Sequence, residues 1–333
     1  VNLLIVTQTF PLNPTDSTAP FMYDFAQGFA KLGHQVFILL PFHPQLRPKS
    51  FPGIKLVPFK YIWPDSLHLL GFGRSLKNDQ ILPLSAYLLA PLYLLLGTIK
   101  IYQTIKKYHI DVLNAHWIIP NGPIAALASL LTRIPLVITL PGSDVYLANS
   151  NVFLKALAKL SASQAKSIVS NSPLLLSDLK VPGHFVSYGV PPNPGKHLYH
   201  SPPTIATAGR SVEKKGFKVL TKLYPQIEVI SGLPINQFRR RLLVIDILIA
   251  PSIRDSRGNP DDASLVVLEA MSAGCAVIVS DLPGYRLIIK DNHNGLLIKP
   301  NRRSITAAIN RLSRSPQLRR RLGHAAPDTI QSR

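Results

Sequence analysis

The sequence predicts an α/β protein made of two domains, each built on a parallel sheet. Its 333 residues are more than one ordinary hydrophobic core organises. Short apolar runs alternate with longer amphipathic segments, which is typical of strands joined by helices. This alternation is interrupted once, by a proline-rich stretch between residues 191 and 203. We therefore expect a second domain after that linker, and a cleft between the two domains.

The first domain is predicted over residues 1–190. Its strands are expected at five apolar runs: Leu3–Val6, Val36–Leu40, Val112–Asn114, Leu136–Thr139 and Ser167–Ser170. Helices are expected between them, for example at Phe21–Leu32 and Ile124–Leu131. Gly33 follows the first of these helices as a stop signal. The opening run has no basic region before it, so we interpret it as a strand and not as a signal peptide. A cytoplasmic location is expected.

The stretch Ile81–Ile99 carries no charge and contains Pro83, Pro91 and Gly97. Its length barely reaches that of a membrane span, and prolines interrupt a simple helix. The favoured interpretation is a buried helix pair. A helix on a membrane surface and a true span are the alternatives.

The second domain is predicted over residues 204–333. Its strands are expected at Thr204–Ala208, Glu228–Ile230, Ile247–Ala250, Ala276–Val279 and Leu296–Ile298. A basic helix, Ile305–Leu322, is expected near the end of the chain. Because ligands bind at the carboxyl ends of parallel strands, the loops after these strands are the first place to look for a site.

The charge balance restricts the class of partner. The chain has 37 Lys and Arg residues against 17 Asp and Glu residues, a net charge of +20 spread over both halves. Such a surface suits phosphates, nucleic acids or an anionic membrane. The single cysteine, Cys275, excludes a disulfide framework and a cysteine-based zinc site.

The first candidate motif follows the first strand of the second domain. It begins at Gly209 and ends at Gly216, with Arg210 and Lys215 between them. An arginine and a lysine just past a strand end can neutralise a diphosphate. The alternative is a solvated basic turn.

The second motif is a polar loop that leads into an apolar helix starting near Ser264. Gly258 and Asn259 lie in the loop, and the first amides of the helix, at Ser264 and Leu265, form a potential anion site. Asp261 and Glu269 are eight residues apart and can face the same cleft, where carboxylates would bind sugar hydroxyls. The alternative is that the aspartates of the loop cap the helix and Glu269 faces solvent.

Taken together, the motifs resemble the retaining nucleotide-sugar glycosyltransferases of family 4, which have the GT-B fold of two Rossmann-like domains. Three sets in the second half carry the resemblance: Gly209-Arg210 with Lys215-Gly216, Asp261 with Glu269-Ala270-Met271, and Asn294-Gly295-Leu296-Leu297. Four sets in the first half add to it: Gly33-His34-Gln35-Val36, Ala115-His116-Trp117, Gly142-Ser143-Asp144 and Tyr188-Gly189-Val190. The resemblance covers nearly the whole chain.

The resemblance implies a hexosyltransferase with a nucleoside diphosphate sugar donor, UDP- or GDP-linked, as co-substrate and with no metal ion or other cofactor. Arg210 and Lys215 would hold the diphosphate, and Glu269 would hold ribose or sugar hydroxyls. The expected catalytic residues are Glu269, Asp261 and His116, and the expected donor contacts are Arg210, Lys215, Gly258, Asn259, Ser264, Leu265 and Glu269. His116 has an alternative interpretation as a structural histidine. On the acceptor side we expect Asp144, Ser17 and Thr18, facing a glycan or lipid-linked acceptor.

Three features depart from the family pattern. The loop after the first strand has no glycine, and Ala19 stands at a glycine position where a positive φ would strain it. Pro141 stands where a histidine usually precedes Gly142. Pro251 lies only 35 positions after Gly216, which leaves out a strand and helix that the family usually has, so the second domain is expected to be abbreviated.

Three functions remain open from the sequence. The first is a glycosyltransferase at the inner face of the membrane, bound peripherally to anionic lipid. The second is a non-catalytic glycosyltransferase-like subunit that binds a partner or a membrane. The third is nucleic-acid binding through the arginine clusters 239–241 and 319–321, although no aromatic residues interleave with them and no specific nucleic acid is expected.

Overall fold

A computed structural model describes residues 1–72, 84–256, 258, 261 and 263–331. The chain divides into two compact units, Val1–Val186 and Ser187–Arg333.

The N-terminal unit contains a seven-stranded parallel sheet. Its strands are β1 (Asn2–Val6), β2 (Gln35–Pro41), β3 (Ile54–Phe59), β4 (Val112–His116), β5 (Leu136–Leu140), β6 (Ser167–Ser170) and β7 (His184–Phe185). They are ordered β3-β2-β1-β4-β5-β6-β7 across the sheet. All five predicted strands are confirmed. Strands β3 and β7 were not predicted: a proline and a lysine obscure the apolar pattern of β3, and β7 is only two residues long.

Helices cover both faces of this sheet. They are α1 (Pro20–Lys31), α2 (Leu84–Tyr108), α3 (Ile118–Thr132), α4 (Ser143–Asn149), α5 (Val152–Gln164) and α6 (Pro173–Leu179). Alternate side chains of β1 point to opposite faces, as expected for a strand. Leu3 and Ile5 pack in the core that includes Met22 and Ala26 of α1. Leu4 and Val6 pack in the larger core formed with α2, α3 and α5.

The apolar stretch predicted as a buried helix pair instead forms the single helix α2 from residue 84 onward; residues 81–83 lie outside the described part of the chain. The pair was wrong because Pro91 is accommodated inside the helix, on its exposed side. A proline there removes one backbone hydrogen bond but places its ring toward solvent, away from the core. By length and composition, the segment Tyr87–Tyr108 of α2 is able to cross a membrane. One third of its most apolar window is buried within the protein.

The C-terminal unit contains a five-stranded parallel sheet. Its strands are β8 (Ile205–Ala208), β9 (Glu228–Ile230), β10 (Ile247–Ala250), β11 (Ala276–Ser280) and β12 (Leu296–Ile298), all of which were predicted. The order is β12-β11-β10-β8-β9, so the chain moves from β8 to one side and then returns to the other. The helices are α7 (Phe217–Leu223), α8 (Ile235–Leu242), α9 (Leu265–Ser272), α10 (Pro283–Arg286), α11 (Arg302–Arg314) and α12 (Pro316–Gln331). The reversal of direction lies between β8 and β10, which is where open α/β sheets bind ligands.

The single basic helix predicted over Ile305–Leu322 is wrong, because the chain breaks there into α11 and α12. Ser315 leaves the helical region with φ −122° and ψ 88°, and Pro316 starts the second helix. The residue before a proline is disfavoured in the helical conformation, which explains the break. Arg319 then turns inward, is only 2% exposed, and donates hydrogen bonds to the carbonyl oxygens of Leu312 and His200.

A buried carboxylate fastens the segment before β8 to the start of β10. Asp246 Oδ1 accepts from the backbone N–H of His200 at 3.0 Å, and Oδ2 accepts from the N–H and the hydroxyl of Thr204, each at 2.9 Å. The His200 ring nitrogen Nδ1 lies 3.0 Å from the same oxygen. Burial alone would raise the pKa of Asp246, but these hydrogen bonds outweigh it and hold the pKa below its usual range.

This lowered pKa predicts a loss of stability in acid. The contribution of Asp246 is present above the pKa of an unfolded aspartate, about 3.9, and is lost as pH falls through the lower folded value. We expect Asp246→Asn to cost about 1–3 kcal/mol of unfolding free energy at pH 7. The NH2 group of the asparagine would face groups that themselves donate hydrogen bonds to the carboxylate in the wild type. It should also flatten the decline of the urea midpoint below about pH 4. Asp328→Asn, at an exposed position of the same unit, is the control; an equal change in both variants would contradict the prediction.

Candidate functional site

The end of β8 leads into a tight basic turn. Gly209 has φ +127°, a backbone conformation that residues with a side chain rarely adopt, and a Cβ built there would be in van der Waals contact with Cε of Lys215, at 3.4 Å. The short 3-10 turn Glu213–Lys215 ends at Gly216, which has φ +68° and precedes α7. The two glycines of the first sequence motif therefore place Lys215 at the carboxyl end of β8.

Lys215 joins the two motifs. Its Nζ donates to Asp261 Oδ2 at 2.8 Å and to Ser264 Oγ at 2.7 Å. Ser264 is the N-cap residue of α9, but its hydroxyl makes no capping bond to that helix. An ammonium has three N–H bonds, and these contacts use two of them. The lysine charge is thus held beside the amino end of α9, where the helix dipole also favours an anion.

Asp261 is ionised in this arrangement. Burial alone would raise its pKa, but the charges of Lys215 and Lys214 and the hydrogen bond from Lys215 hold the pKa below its usual range. Ser252, just after β10, donates to Asp261 Oδ2 at 3.3 Å. The carboxylate therefore balances the lysine and ties the ends of β8 and β10 to the start of α9.

Glu269 lies in α9 and is only 6% exposed. Arg239 of α8 holds it in a two-pronged ion pair, with Nε to Oε2 at 2.9 Å and Nη2 to Oε1 at 2.7 Å. The alternative of a solvent-facing glutamate is therefore wrong. A carboxylate has about four acceptor positions, so it can accept further hydroxyl groups while the arginine is bound.

The role of Arg239 in the structure differs from the one its sequence context suggested. This residue belongs to the cluster 239–241, which was considered for phosphate contacts. In the structure Arg241 pairs with Glu228 at 2.6 Å, and Arg239 pairs with Glu269. Arg239 and Arg241 therefore serve the protein's own carboxylates, which weakens the nucleic-acid hypothesis for the cluster 239–241. Arg241 reaches back 13 residues to β9, whereas Arg239 reaches forward 30 residues to α9. Neither pair follows the spacing of neighbours on one helix, so the sequence did not reveal it.

The other predicted donor contacts lie around the same turn. Arg210 is exposed, immediately after Gly209. Gly258 has φ +85°, and its carbonyl oxygen accepts from Arg254 at 2.8 Å. Leu265 is the first residue of α9. Asn259 lies outside the described residues.

His116 ends β4 in the N-terminal unit and is fully buried. Its ring lies against Phe25, with centroids 5.2 Å apart, and against Trp117, at 5.0 Å. Burial lowers its pKa to about 3, so the imidazole is neutral at physiological pH. The aromatic surroundings agree with the structural alternative that the sequence left open, and a catalytic role stays a prediction.

Asp144 lies near the start of α4 and is also buried. Its Oδ2 accepts from the N–H of Ile118 at 2.7 Å, and its Oδ1 accepts from the N–H of Gly142 at 3.0 Å. Burial raises its pKa to about 6, and the backbone hydrogen bonds partly oppose this shift. The carboxylate joins the chain after β4 to the chain after β5; its acceptor-side role stays a prediction.

Ser17 and Thr18 lie in the loop between β1 and α1. Asp16 organises this loop by accepting from the N–H groups of Leu12 at 2.8 Å and Thr18 at 3.0 Å. Ser17 is exposed, and Thr18 is partly exposed. The loop ends at Ala19 with φ 46° and ψ 49°, which confirms the expected positive φ at a position suited to glycine.

Within the described residues, no group of three or more His, Cys, Asp or Glu side chains is placed to hold a metal ion. Cys275 is fully buried and packs in the hydrophobic core of the C-terminal unit.

The sequence matches two family models. The model for glycosyl transferases group 1 matches residues 225–329, and the model for glycosyl transferase 4-like proteins matches residues 80–172. A relative from Bacillus subtilis (strain 168), named as a candidate teichuronic acid biosynthesis glycosyltransferase TuaC, is 26% identical over 264 residues. The match covers 63% of this chain and 64% of the relative.

Solved structures resemble the chain over its whole length. Sucrose-phosphate synthase from Thermosynechococcus elongatus gives a TM-score of 0.72 at 13% identity, covering 100% of this chain and 94% of that one. Anabaena HepE in complex with UDP gives 0.68 at 16% identity, covering 100% and 95%. A glycosyltransferase from Rickettsia africae ESF-5 gives 0.67 at 16% identity, covering 99% and 93%.

Proposed function

We propose that this chain, which matches the models for glycosyl transferases group 1 and glycosyl transferase 4-like proteins, transfers a hexose from a nucleoside diphosphate sugar to a lipid-linked or envelope-glycan acceptor. The transfer is proposed to retain the anomeric configuration. No metal ion or other cofactor takes part in this proposal, and the nucleotide sugar is a co-substrate.

The observation that carries the proposal is the position of Lys215. Its ammonium lies between Asp261 and Ser264, at the start of α9 and at the point where the sheet order reverses. Exposed Arg210 follows the same strand, β8. Two cations and a helix amino end together offer the charge that a diphosphate requires.

The same groups would assist the chemistry. When the bond between sugar and diphosphate breaks, negative charge builds up on the departing phosphate oxygens. A lysine already held in place by Asp261 and Ser264 stabilises that charge without having to reorganise. Glu269, fixed by Arg239, would present its remaining acceptor positions to ribose or sugar hydroxyls.

Two comparisons guide the choice of substrate. HepE is described in complex with UDP and with UDP-glucose, so UDP-glucose is the first donor to test, followed by a GDP-sugar. The name of the Bacillus relative points to a cell-envelope polymer, so an envelope acceptor at the inner membrane face is proposed for this chain.

The experiment is a thermal-shift and calorimetric titration with UDP-glucose and GDP-mannose. A bound donor at 100 times its Kd stabilises the folded protein by about 2.7 kcal/mol. We expect one donor to raise the melting temperature of the wild type. Lys215→Ala should weaken its binding about ten- to a hundred-fold, which is the value of hydrogen bonds to charged groups.

Lys218→Ala is the matched control, because Lys218 is exposed on α7, three residues further on. Donor binding that survives Lys215→Ala unchanged would contradict the assignment of the site. A flat response from folded wild-type protein would instead favour the alternative function, a non-catalytic subunit. The observation that favours this alternative is the positive φ of Ala19, at the end of the loop after β1.

A further inference from the structure

Helices α2, α3 and α5 form one layer on one side of the N-terminal sheet. In sequence order each packs against the next, and their inner side chains join the same hydrophobic core. The inner side of α2 contributes Tyr93, Ile101 and Ile105, which are all nearly inaccessible to solvent. The inner side of this layer is therefore fully used in folding, and α2 cannot leave it to cross a bilayer without dismantling the core.

The outer side of α2 is also apolar. Tyr87 and six further large side chains are exposed on α2, and the six are spaced three or four residues apart: Leu84, Leu88, Leu92, Leu95, Ile99 and Tyr102. Such spacing places them on one side of a helix over five turns. Leu84 is 75% exposed and Leu88 is 72% exposed. An outward helix face in a water-soluble protein normally carries charges at these positions.

The neighbouring helices extend this apolar surface. Leu127, Leu130 and Leu131 are exposed on α3, and Val152, Phe153 and Leu160 are exposed on α5. We call these six residues and the six of α2 the leucine face. Apolar patches beyond a few hundred Å² are uncommon on soluble monomers and mark sites of interaction.

The charges around the leucine face have one sign. Helices α2, α3 and α5 contain no aspartate or glutamate, whereas Lys100, Lys106, Lys107, Lys155 and Lys159 lie on them. At the ends of α3 and α5, an open cavity of about 470 Å³ is lined by Leu130, Arg133, Gln164 and Lys166 among others. Leu130 belongs to the leucine face, so the apolar surface adjoins two cations at this cavity.

We propose that the leucine face is a docking surface for an anionic phospholipid bilayer. The leucines would enter the boundary between headgroups and acyl chains, with α2 parallel to the membrane, and Arg133 and Lys166 would bind lipid phosphates in the cavity. A bilayer with negative headgroups complements a face that has cations and no carboxylates. A second copy of the chain would bring the same cations together, which disfavours a dimer through this surface.

This inference rests on the proposed action at the membrane and names the surface responsible. Its test is flotation of the full chain with vesicles of phosphatidylcholine alone or with 30 mol% phosphatidylglycerol, without any sugar donor. We expect binding to the anionic vesicles, at least tenfold weaker binding to neutral ones, and further weakening by 0.5 M salt.

Two variants separate the apolar and the charged contributions. Leu88→Glu with Leu92→Glu and Leu95→Glu should abolish flotation, and Arg133→Ala with Lys166→Ala should reduce it about tenfold or more. The replaced leucines are exposed, so both variants are expected to keep the wild-type melting curve. The matched control is Leu198→Glu with Val229→Glu, which replaces exposed apolar residues of the C-terminal unit and should float like the wild type.

Equal flotation of the wild type and both variants would overturn the proposal. So would a wild-type dimer that the triple glutamate variant converts to monomer with no change in flotation, because the face would then join two copies. Donor binding measured on the same variants keeps the two proposals apart. A triple variant that no longer floats but still binds UDP-glucose supports docking. A wild type that floats but binds no sugar donor would count against the proposed function and leave the docking surface supported.

Discussion

Glu269→Ala is expected to lower the free energy of unfolding by about 3–5 kcal/mol, the usual cost of removing one partner from a buried ion pair. Arg239 would lose the carboxylate that accepts two of its N–H bonds, in a region where both side chains are largely excluded from water. Urea unfolding of the wild type and the variant at pH 7 measures the loss. This loss of stability is expected in the absence of any sugar donor.

The matched variants are Arg239→Met and the double variant Glu269→Leu with Arg239→Met. Removing both charges leaves neither one buried alone, so the double variant should recover most of the stability lost by either single change. Additive losses in this cycle would mean that the pair does not act as a unit. If the cycle is strongly coupled, a loss of donor binding in Glu269→Ala counts as evidence for a donor contact only at temperatures where that variant is folded.

Gly216→Ala is expected to be as damaging, by a different route. Gly216 has φ +68°, and a methyl group at its Cα would overlap the carbonyl oxygen of Pro251. A non-glycine residue in this left-handed conformation costs about 1–2 kcal/mol of stability, and the overlap of its methyl group with Pro251 adds about 1–3 kcal/mol. Since the turn also sets the position of Lys215, donor binding should fall together with stability.

Gly232 provides a control for the backbone term. It has φ +69°, but a Cβ built there meets no atom within 4 Å. Gly232→Ala should therefore cost only about 1–2 kcal/mol. Equal losses at the two positions, measured by chemical denaturation, would show that Pro251 moves aside at no cost and that steric overlap is unimportant.

The fold class and the resemblance to glycosyltransferases were predictable from the sequence. The two parallel sheets and the matches to two glycosyltransferase family models bear them out. Strands such as Ile247–Ala250 and Ala276–Ser280 are continuous apolar runs buried on both faces, so their pattern survives in any context. The Lys215 turn was also predictable, because its two glycines bracket the basic residues at a strand end.

Contacts between distant side chains were not predictable. The pairing of Glu269 with Arg239 depends on how α8 and α9 pack, which no spacing within either helix reports. The helical spacing of apolar residues continues across Ser315, which favoured one helix, although Pro316 indicates a helix boundary at the residue before it. The outward leucines of α2 were read as buried, since composition alone does not show which side of a helix faces the core.

Both sheets end in strands that are poor templates for another chain. β9 and β12 have three residues each and β7 has two, while β3 contains Lys55 and Pro58, which lacks an amide hydrogen. Short strands, lysine and proline at sheet edges are the features by which proteins avoid edge-to-edge aggregation. A chain that is 46% hydrophobic and exposes a leucine-rich surface is thus protected at its backbone edges. Self-association at high concentration should therefore be reversed by mild detergent and should lack the cross-β signature of amyloid.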